Sequence, residues 1–242
     1  MTAEDFSVVA GGVTGRDHLH TRRDGQDGLA LVTTSAVRAA IVTDGCSSGA
    51  RTEIGARLGA SWLAILVAET FARDPDPERA AALVTTALVG RIEATARSLS
   101  PVGEIDPDVL ADTLLFGFLA AVVASERVIV FGVGDGLVWV DGERTIVDAG
   151  PDNAPPYPAY ALLGRPTEPS VHHLGRAGAL DVVAVATDGA RELADDGDAL
   201  DALVREARSF VNPSLLRKRL IVLSDRGRLH DDTTIGIVRR DR

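Results

Sequence analysis

Ile41-Val42-Thr43-Asp44-Gly45 reads as a short buried strand that ends on an aspartate, with a glycine to turn the backbone straight after it. A carboxylate at such a strand end is rigidly held yet open to solvent, a good seat for a hard cation. The same pattern recurs at Val182-Val183-Ala184-Val185-Ala186-Thr187-Asp188-Gly189 and at Val128-Ile129-Val130-Phe131-Gly132-Val133-Gly134-Asp135-Gly136. Any one Asp-Gly pair is ordinary turn chemistry. Val138-Trp139-Val140-Asp141-Gly142-Glu143-Arg144-Thr145-Ile146-Val147, for instance, is simply a hairpin with a two-residue turn. Three apolar runs that each deliver an aspartate and a glycine point instead to a shared acidic site.

Upstream of this stretch, Phe6 to about Val13 reads as an opening strand, followed by a polar stretch from Thr14 to Gly25 that crowds Arg16, His18, His20, Arg22 and Arg23 together. Gln26-Asp27 leads into Leu29-Ala30-Leu31-Val32, and Val37 to Thr43 follows, so two adjacent strands carry Asp27 and Asp44. Downstream, Ile54, Leu58, Trp62, Ile65 and Leu66 recur at helical spacing as one apolar face. Asp76-Pro77 is a helix start, and Leu83, Val84, Leu88 and Ile92 continue a second stripe. The short connection around Asp74 to Asp76 predicts an antiparallel helix pair.

From Asp112 the pattern changes to strands over Thr113 to Ala124, Arg127 to Val133, Leu137 to Val140 and Arg144 to Val147, with tight turns that predict antiparallel sheet. Ala149 to Arg176, with Pro151, Pro155, Pro156, Pro158, Pro166 and Pro169, is too proline-rich for regular structure and reads as a surface flap. Then come the Asp188 strand, helical regions over Ala199 to Arg208 and Pro213 to Leu223, and a last strand from Thr234 to Val238. Two helical blocks between strand blocks predict an α+β layered sandwich. No repeat or linker interrupts the chain, so residues 1–242 read as a single domain.

Hydrophobic residues are 45% of the 242 and charged residues 25%, the balance of a globular chain with room for a sizeable core. A formal net charge of −10 argues against a nucleic-acid surface, which must track phosphates. The one cysteine, Cys46, excludes an internal disulfide framework. The acidic start Met1-Thr2-Ala3-Glu4-Asp5 lacks the basic and apolar regions of a signal peptide, and no uninterrupted apolar run approaches the roughly 20 residues that span a bilayer. The expectation is a cytoplasmic protein, monomeric by default, with no membrane or nucleic-acid partner.

Five separated places, at Asp27, Asp44, Asp135, Asp188 and the pair Asp231-Asp232, put an acid at a strand edge. Converging carboxylates repel one another, and a divalent cation removes that cost. Oxygen-only ligation selects Mg²⁺ or Mn²⁺ over Zn²⁺, and neither His18/His20 nor His172-His173 has zinc-site spacing. Two metals sharing a carboxylate would hold a bridging hydroxide and clamp the entering and leaving oxygens of an in-line displacement at phosphorus. That chemistry is phosphoester hydrolysis.

The order Gln26-Asp27, Asp44-Gly45, Asp112-Thr113, Gly134-Asp135-Gly136, Thr187-Asp188-Gly189 and Asp231-Asp232-x-Thr234 resembles the metal-dependent Ser/Thr protein phosphatases of type 2C. Asp44-Gly45-Cys46-Ser47-Ser48-Gly49-Ala50-Arg51-Thr52-Glu53-Ile54-Gly55-Ala56 and the early Gly15-x-x-His18 resemble the bacterial branch in particular. The resemblance implies a four-layer α-β-β-α sandwich, with a central antiparallel β-sandwich flanked by two helix pairs and a metal cluster in a cleft at one edge. It implies that Asp44 bridges two Mn²⁺ or Mg²⁺ ions, that the Gly45 carbonyl binds the second, and that Asp188 and Asp231 complete the first. It puts Asp27 beside the metal-bound waters and Asp135 at the place of a third, weaker ion shared with Asp188. The substrate would be a phosphoserine or phosphothreonine protein, its phosphate met by Arg22, five residues before Asp27, or by Arg23 or His18. The flap would border the cleft. Cys46 stands where many eukaryotic relatives carry a histidine, so the leaving alkoxide would take its proton from a metal-bound water.

Two rivals use other chemistry. A cysteine-dependent phosphatase loop needs one more residue between cysteine and arginine than the four between Cys46 and Arg51, and an aspartyl-phosphate mechanism wants an acid where Cys46 follows Asp44. From another class, the chain could be a catalytically silent phosphatase-fold module that binds a partner or phosphopeptide. Against that stands its full set of mutually repelling aspartates.

Overall fold

A computed structural model of the chain describes residues 2–100, 103–165, 167–195 and 197–241, so Pro166 and the two terminal residues of the expected domain lie outside it. Side chains alternate along its central strands, and that alternation generates the layers. In β3 (Val37–Gly45), Val37, Ala39 and Ile41 face a core beneath helices, whereas Ala40 and Val42 face the neighbouring sheet. β9 (Val182–Ala186) does the same, with Val182, Ala184 and Ala186 towards a second helical layer and Val183 and Val185 towards the opposite sheet. Strands buried on both faces need apolar residues at every position, which is why these runs read as unbroken hydrophobic stretches.

One sheet has the order β1 (Phe6–Val13), β10 (Thr233–Arg240), β9, β6 (Gly136–Val140), β7 (Glu143–Val147). The other has the order β2 (Asp27–Thr33), β3, β4 (Phe116–Ala124), β5 (Arg127–Val133), β8 (Ser170–Arg176). Every pairing is antiparallel. α1 (Arg16–Thr21) lies between β1 and β2 in the chain; α2 (Thr52–Phe71) and α3 (Pro77–Leu99) cover the second sheet. α4 (Pro107–Val109) leads into β4, and α5 (Arg191–Asp195), α6 (Gly197–Val204), α7 (Arg208–Val211) and α8 (Ser214–Asp225) follow β9. Leu193, Leu200, Leu203, Leu216 and Leu220 from these last helices cover the first sheet. The result is the α-β-β-α sandwich expected from the sequence, its second helical layer built from short pieces.

Several local expectations hold to the residue. β1 has the expected bounds, and the Asp141-Gly142 turn closes the β6–β7 hairpin with both residues at positive φ (51° and 113°). Asp76 caps α3 by accepting hydrogen bonds from Glu78 N and Arg79 N at 3.1 and 3.2 Å.

Other expectations need correction. The buried face of α2 is not Ile54, Leu58 and Ile65, which are exposed, but Gly55, Ala56, Gly59, Ala60, Leu63, Val67 and Phe71. The helix lies so close to its neighbours that a Cβ on Gly59 would stand 2.3 Å from the Phe116 ring. In the first half of the helix small residues therefore face inwards and bulky ones outwards, and Leu63, Val67 and Phe71 fill the core further along. α2 is long and apolar enough by length and composition to cross a bilayer, yet its small-residue face is spent on the sheet. In α3, Val84, Leu88 and Ile92 are buried as expected and Leu83 is exposed. The strand expected from Thr113 starts only at Phe116. Asp106 caps a short helical turn at Asp108 N (2.9 Å), and a wide turn over Leu110–Leu114 follows, burying both leucines. The end of the flap is also regular: beyond its last proline, Pro169, residues 170–176 pair with β5 as an edge strand.

Candidate active site

The strand alternation that builds the core also aims the acids. Ala40, Val42 and then Asp44 share the face of β3 that looks into the sandwich, and Asp44 lies directly opposite Asp27 of β2 in the antiparallel register. Side chains so paired have Cβ atoms about 4.5–5.5 Å apart. The opposite sheet contributes Asp188, in the 3₁₀ turn Asp188–Ala190 after β9, and Asp231 and Asp232, immediately before β10. Asp135 sits between β5 and β6, flanked by Gly134 and Gly136 at φ 131° and 139°. The structure thus brings Asp27, Asp44, Asp135, Asp188 and Asp231 to one end of the sandwich, drawing on both sheets.

Their electrostatics record the crowding. The Asp44 carboxyl is held well above the ordinary carboxylate range, by burial first and then by the charges of Asp27, Asp188, Asp135 and Asp231. Asp27 is raised by burial and by Asp232, against hydrogen bonds from Thr187 and Thr234. Burial and Asp188 raise Asp231. The same two causes push Asp135 up to about 6, opposed by Arg191. A cation among these oxygens would offset that repulsion and favour their charged forms.

The residues fit one. The converging donors are hard carboxylate oxygens, the ligand class of Mg²⁺ and Mn²⁺. The backbone is packed tightly where the acids must approach: a Cβ on Gly45 would stand 2.9 Å from the Gln26 carbonyl oxygen, and one on Gly189 2.1 Å from that of Asp232. Glycine at these two places lets each strand end pack against its neighbour in its own sheet, Asp44 beside Asp27 and Asp188 beside the Asp231-Asp232 pair.

Three residues that the sequence reading left without roles hold this end of the sandwich. Asp232, buried, accepts hydrogen bonds from Gly15 N (2.7 Å) and Gln26 N (2.6 Å) and pairs with His18 Nδ1 at 2.7 Å. Although His18, Asp231 and Asp232 lie within 4.8 Å of one another, both Asp232 oxygens are thereby engaged. Thr187 accepts from Thr234 N (2.9 Å) and donates to Asp27 Oδ2 (2.8 Å), a relay from one sheet to the other. Gln26 donates through Nε2 to Thr52 Oγ1 and to the Cys46 carbonyl (3.2 Å), bracing the backbone after Gly45.

The cationic candidates separate. His18 is fixed by Asp232, and Arg23 donates to the Ser47 and Gly49 carbonyls at 3.3 and 2.8 Å. Arg22 caps α1 in the left-handed conformation (φ 57°), exposed and with no ion pair among the described residues. Cys46 faces Ser48 Oγ at 3.1 Å and the flap's Tyr157 hydroxyl; burial pushes the thiol up, but these hydrogen bonds outweigh it and its net shift is downward. His172 and His173 lie on β8, away from the acids, at the opposite edge of their sheet from β2.

Comparison with known proteins gives a consistent result. No curated protein matches the chain. The fold is shared with the crystal structure of a bacterial serine phosphatase (14% identity, TM-score 0.62, 97% of each chain covered). It is shared with the catalytic domain of the serine/threonine protein phosphatase PstP in complex with two manganese ions (16%, 0.62, 98% of this chain and 99% of that one). A serine-threonine phosphatase 2C from Toxoplasma gondii is similar too (17%, 0.62, 98% and 95%). A family model described as protein phosphatase 2C matches residues 14–223, and the chain accordingly belongs to the protein phosphatase 2C family, whose members are serine/threonine protein phosphatases.

Proposed function

We propose that this chain is a metal-dependent phosphatase of phosphoserine and phosphothreonine proteins, and that its active centre is the acidic end of the sandwich. The observation that carries this reading is the register pairing of Asp27 with Asp44, faced by Asp188 and Asp231 from the other sheet. Asp44 lies centrally and would be shared by two Mn²⁺ or Mg²⁺ ions, with the Gly45 carbonyl on one and Asp188 and Asp231 on the other. Bound there, the ions would supply Lewis-acid activation of water and neutralise the phosphoryl oxygens during in-line displacement.

The remaining work falls to the chain. Asp27, held by the Thr187 hydroxyl, is oriented to accept a proton from the attacking water. Arg22 offers a planar fork to the phosphate, its backbone set by the α1 turn that Asp232 and His18 dock. Phosphorus gains the water oxygen as its bond to the serine or threonine oxygen breaks, and that oxygen leaves with a solvent proton. Gln26 and Thr52 hold the Cys46 carbonyl, and with it the backbone that follows Gly45, in place throughout.

The test is phosphate release from a phosphothreonine peptide in Mn²⁺, with a chelator and the Asp44→Asn chain as controls. Metal-dependent release that Asp44→Asn abolishes is the expected outcome. A folded chain that binds the peptide but releases no phosphate at any Mn²⁺ concentration would refute the proposal in favour of a silent binding module.

A further inference from the structure

We propose that Arg191 holds Asp135 as an internal counter-ion, so that Asp135 is not free to bind a third metal ion beside the pair at Asp44 and Asp188. The inference rests on the metal-centre reading above. Asp135 has only 8% of its side chain exposed, and its Oδ2 accepts a hydrogen bond from Arg191 Nη2 at 3.0 Å. The same nitrogen donates to the Val147 carbonyl at the end of β7, also at 3.0 Å, so the guanidinium is pinned from two sides.

Both partners are anchored through their backbones. Asp135 is fixed between two glycines at positive φ, and a Cβ on Gly136 would stand 2.4 Å from the Ala186 carbonyl oxygen, so the loop is clamped against β9. Arg191 opens α5 three residues after Asp188, on the far side of the Asp188–Ala190 turn. The cation is therefore carried by the same rigid segment as a proposed metal ligand. Its Nε is buried without a partner among the described residues, a cost that the ion pair offsets. A divalent ion sharing Asp135 with Asp188 would have to displace the guanidinium or sit against it, and like charges at that separation repel.

The test counts bound Mn²⁺ by titration calorimetry and by electron paramagnetic resonance on the full chain, comparing wild type, Asp135→Asn, Arg191→Gln and the double variant. Asp135→Asn is expected to leave the wild-type stoichiometry unchanged. Arg191→Gln is expected to gain one weaker ion, lost again in the double variant. A wild-type chain that loses one ion on Asp135→Asn, or a folded Arg191→Gln chain that gains none, would overturn this inference alone. Should Arg191→Gln fail to fold, the comparison of wild type with Asp135→Asn decides. A wild-type chain that binds no Mn²⁺ would overturn the metal-centre reading, and this inference with it.

Discussion

Replacing Gly55 and Gly90 by alanine should change stability in opposite directions, although both glycines lie inside long helices. Taken alone, helix propensity favours alanine by about 1 kcal/mol at either site. A methyl on Gly90 meets no heavy atom within 4 Å, so that gain stands. One on Gly55 would stand 2.2 Å from the Thr113 carbonyl oxygen and 2.9 Å from Leu114 Cα. Both obstacles are backbone and cannot rotate aside, so α2 must lift. Overpacking of this kind costs about 1–3 kcal/mol, its upper end applying to rigid obstacles, which leaves a net loss of about 1–2 kcal/mol after the propensity gain. For a chain of this size, each kcal/mol moves the Tm by about 2–4 °C. Gly55→Ala should therefore melt about 2–8 °C below wild type, and Gly90→Ala about 2–4 °C above it. Thermal melts by circular dichroism, with urea midpoints at unchanged m, measure both. Lifting the start of α2 also moves Thr52, which braces Gln26 and the Cys46 carbonyl, so Gly55→Ala should weaken Mn²⁺ binding as well. An equal rise in Tm for the two variants would refute the close-approach account of α2.

Asp232→Ala leaves the Gly15 and Gln26 amides buried without their acceptor, at about 1–3 kcal/mol each; a loss of about 2–4 kcal/mol in urea unfolding is expected, and a variant as stable as wild type would remove Asp232 from its docking role. In chelator, stability should fall as pH rises from about 4 to about 6, because Asp135, raised to about 6 in the fold, binds more protons folded than unfolded across that window. Asp135→Asn should flatten that slope in pH-dependent melts by about 2–3 kcal/mol at its upper end, and an unchanged slope would count against the crowding. Cys46→Ser should retain phosphate release within about twofold, since the metal-dependent route uses no thiolate; a loss of about 100-fold or more would return the cysteine mechanism to consideration.

The sandwich was legible in the sequence because strands buried on both faces must be apolar throughout, and their ends stand out when an aspartate and a glycine follow. The face of α2 was not legible. Hydrophobic periodicity weights bulk, and this helix buries Gly55, Ala56, Gly59 and Ala60 because its distance from the neighbouring backbone leaves room for nothing larger. The wide turn over Leu110–Leu114 carried two leucines that also suit a strand, and β8 was hidden behind the prolines that precede it. At the site, the acids announced themselves locally. Their supports did not: Thr187 meets Asp27 across 160 residues, a pairing that only the docking of the two sheets creates, and Asp232 meets Gly15 across 217, where the last strand pairs with the first. Arg191 was in plain view three residues after Asp188, but only the fold sets it against Asp135.

β10 is the keystone of the first sheet, inserted between β1 and β9 and preceded directly by Asp231 and Asp232. A chain still being synthesised can complete most of the second sheet and its helical cover while β1, made first, has no partner. Until residues 231–240 emerge, Asp232 cannot dock the α1 turn, Thr234 cannot reach Thr187, and one side of the proposed metal cradle does not exist. Catalytic competence is thus tied to completion of the last strand. A nascent or carboxy-truncated chain would be inert towards phosphoproteins, with β1 and β9 left as open edges that chaperones and proteases can recognise.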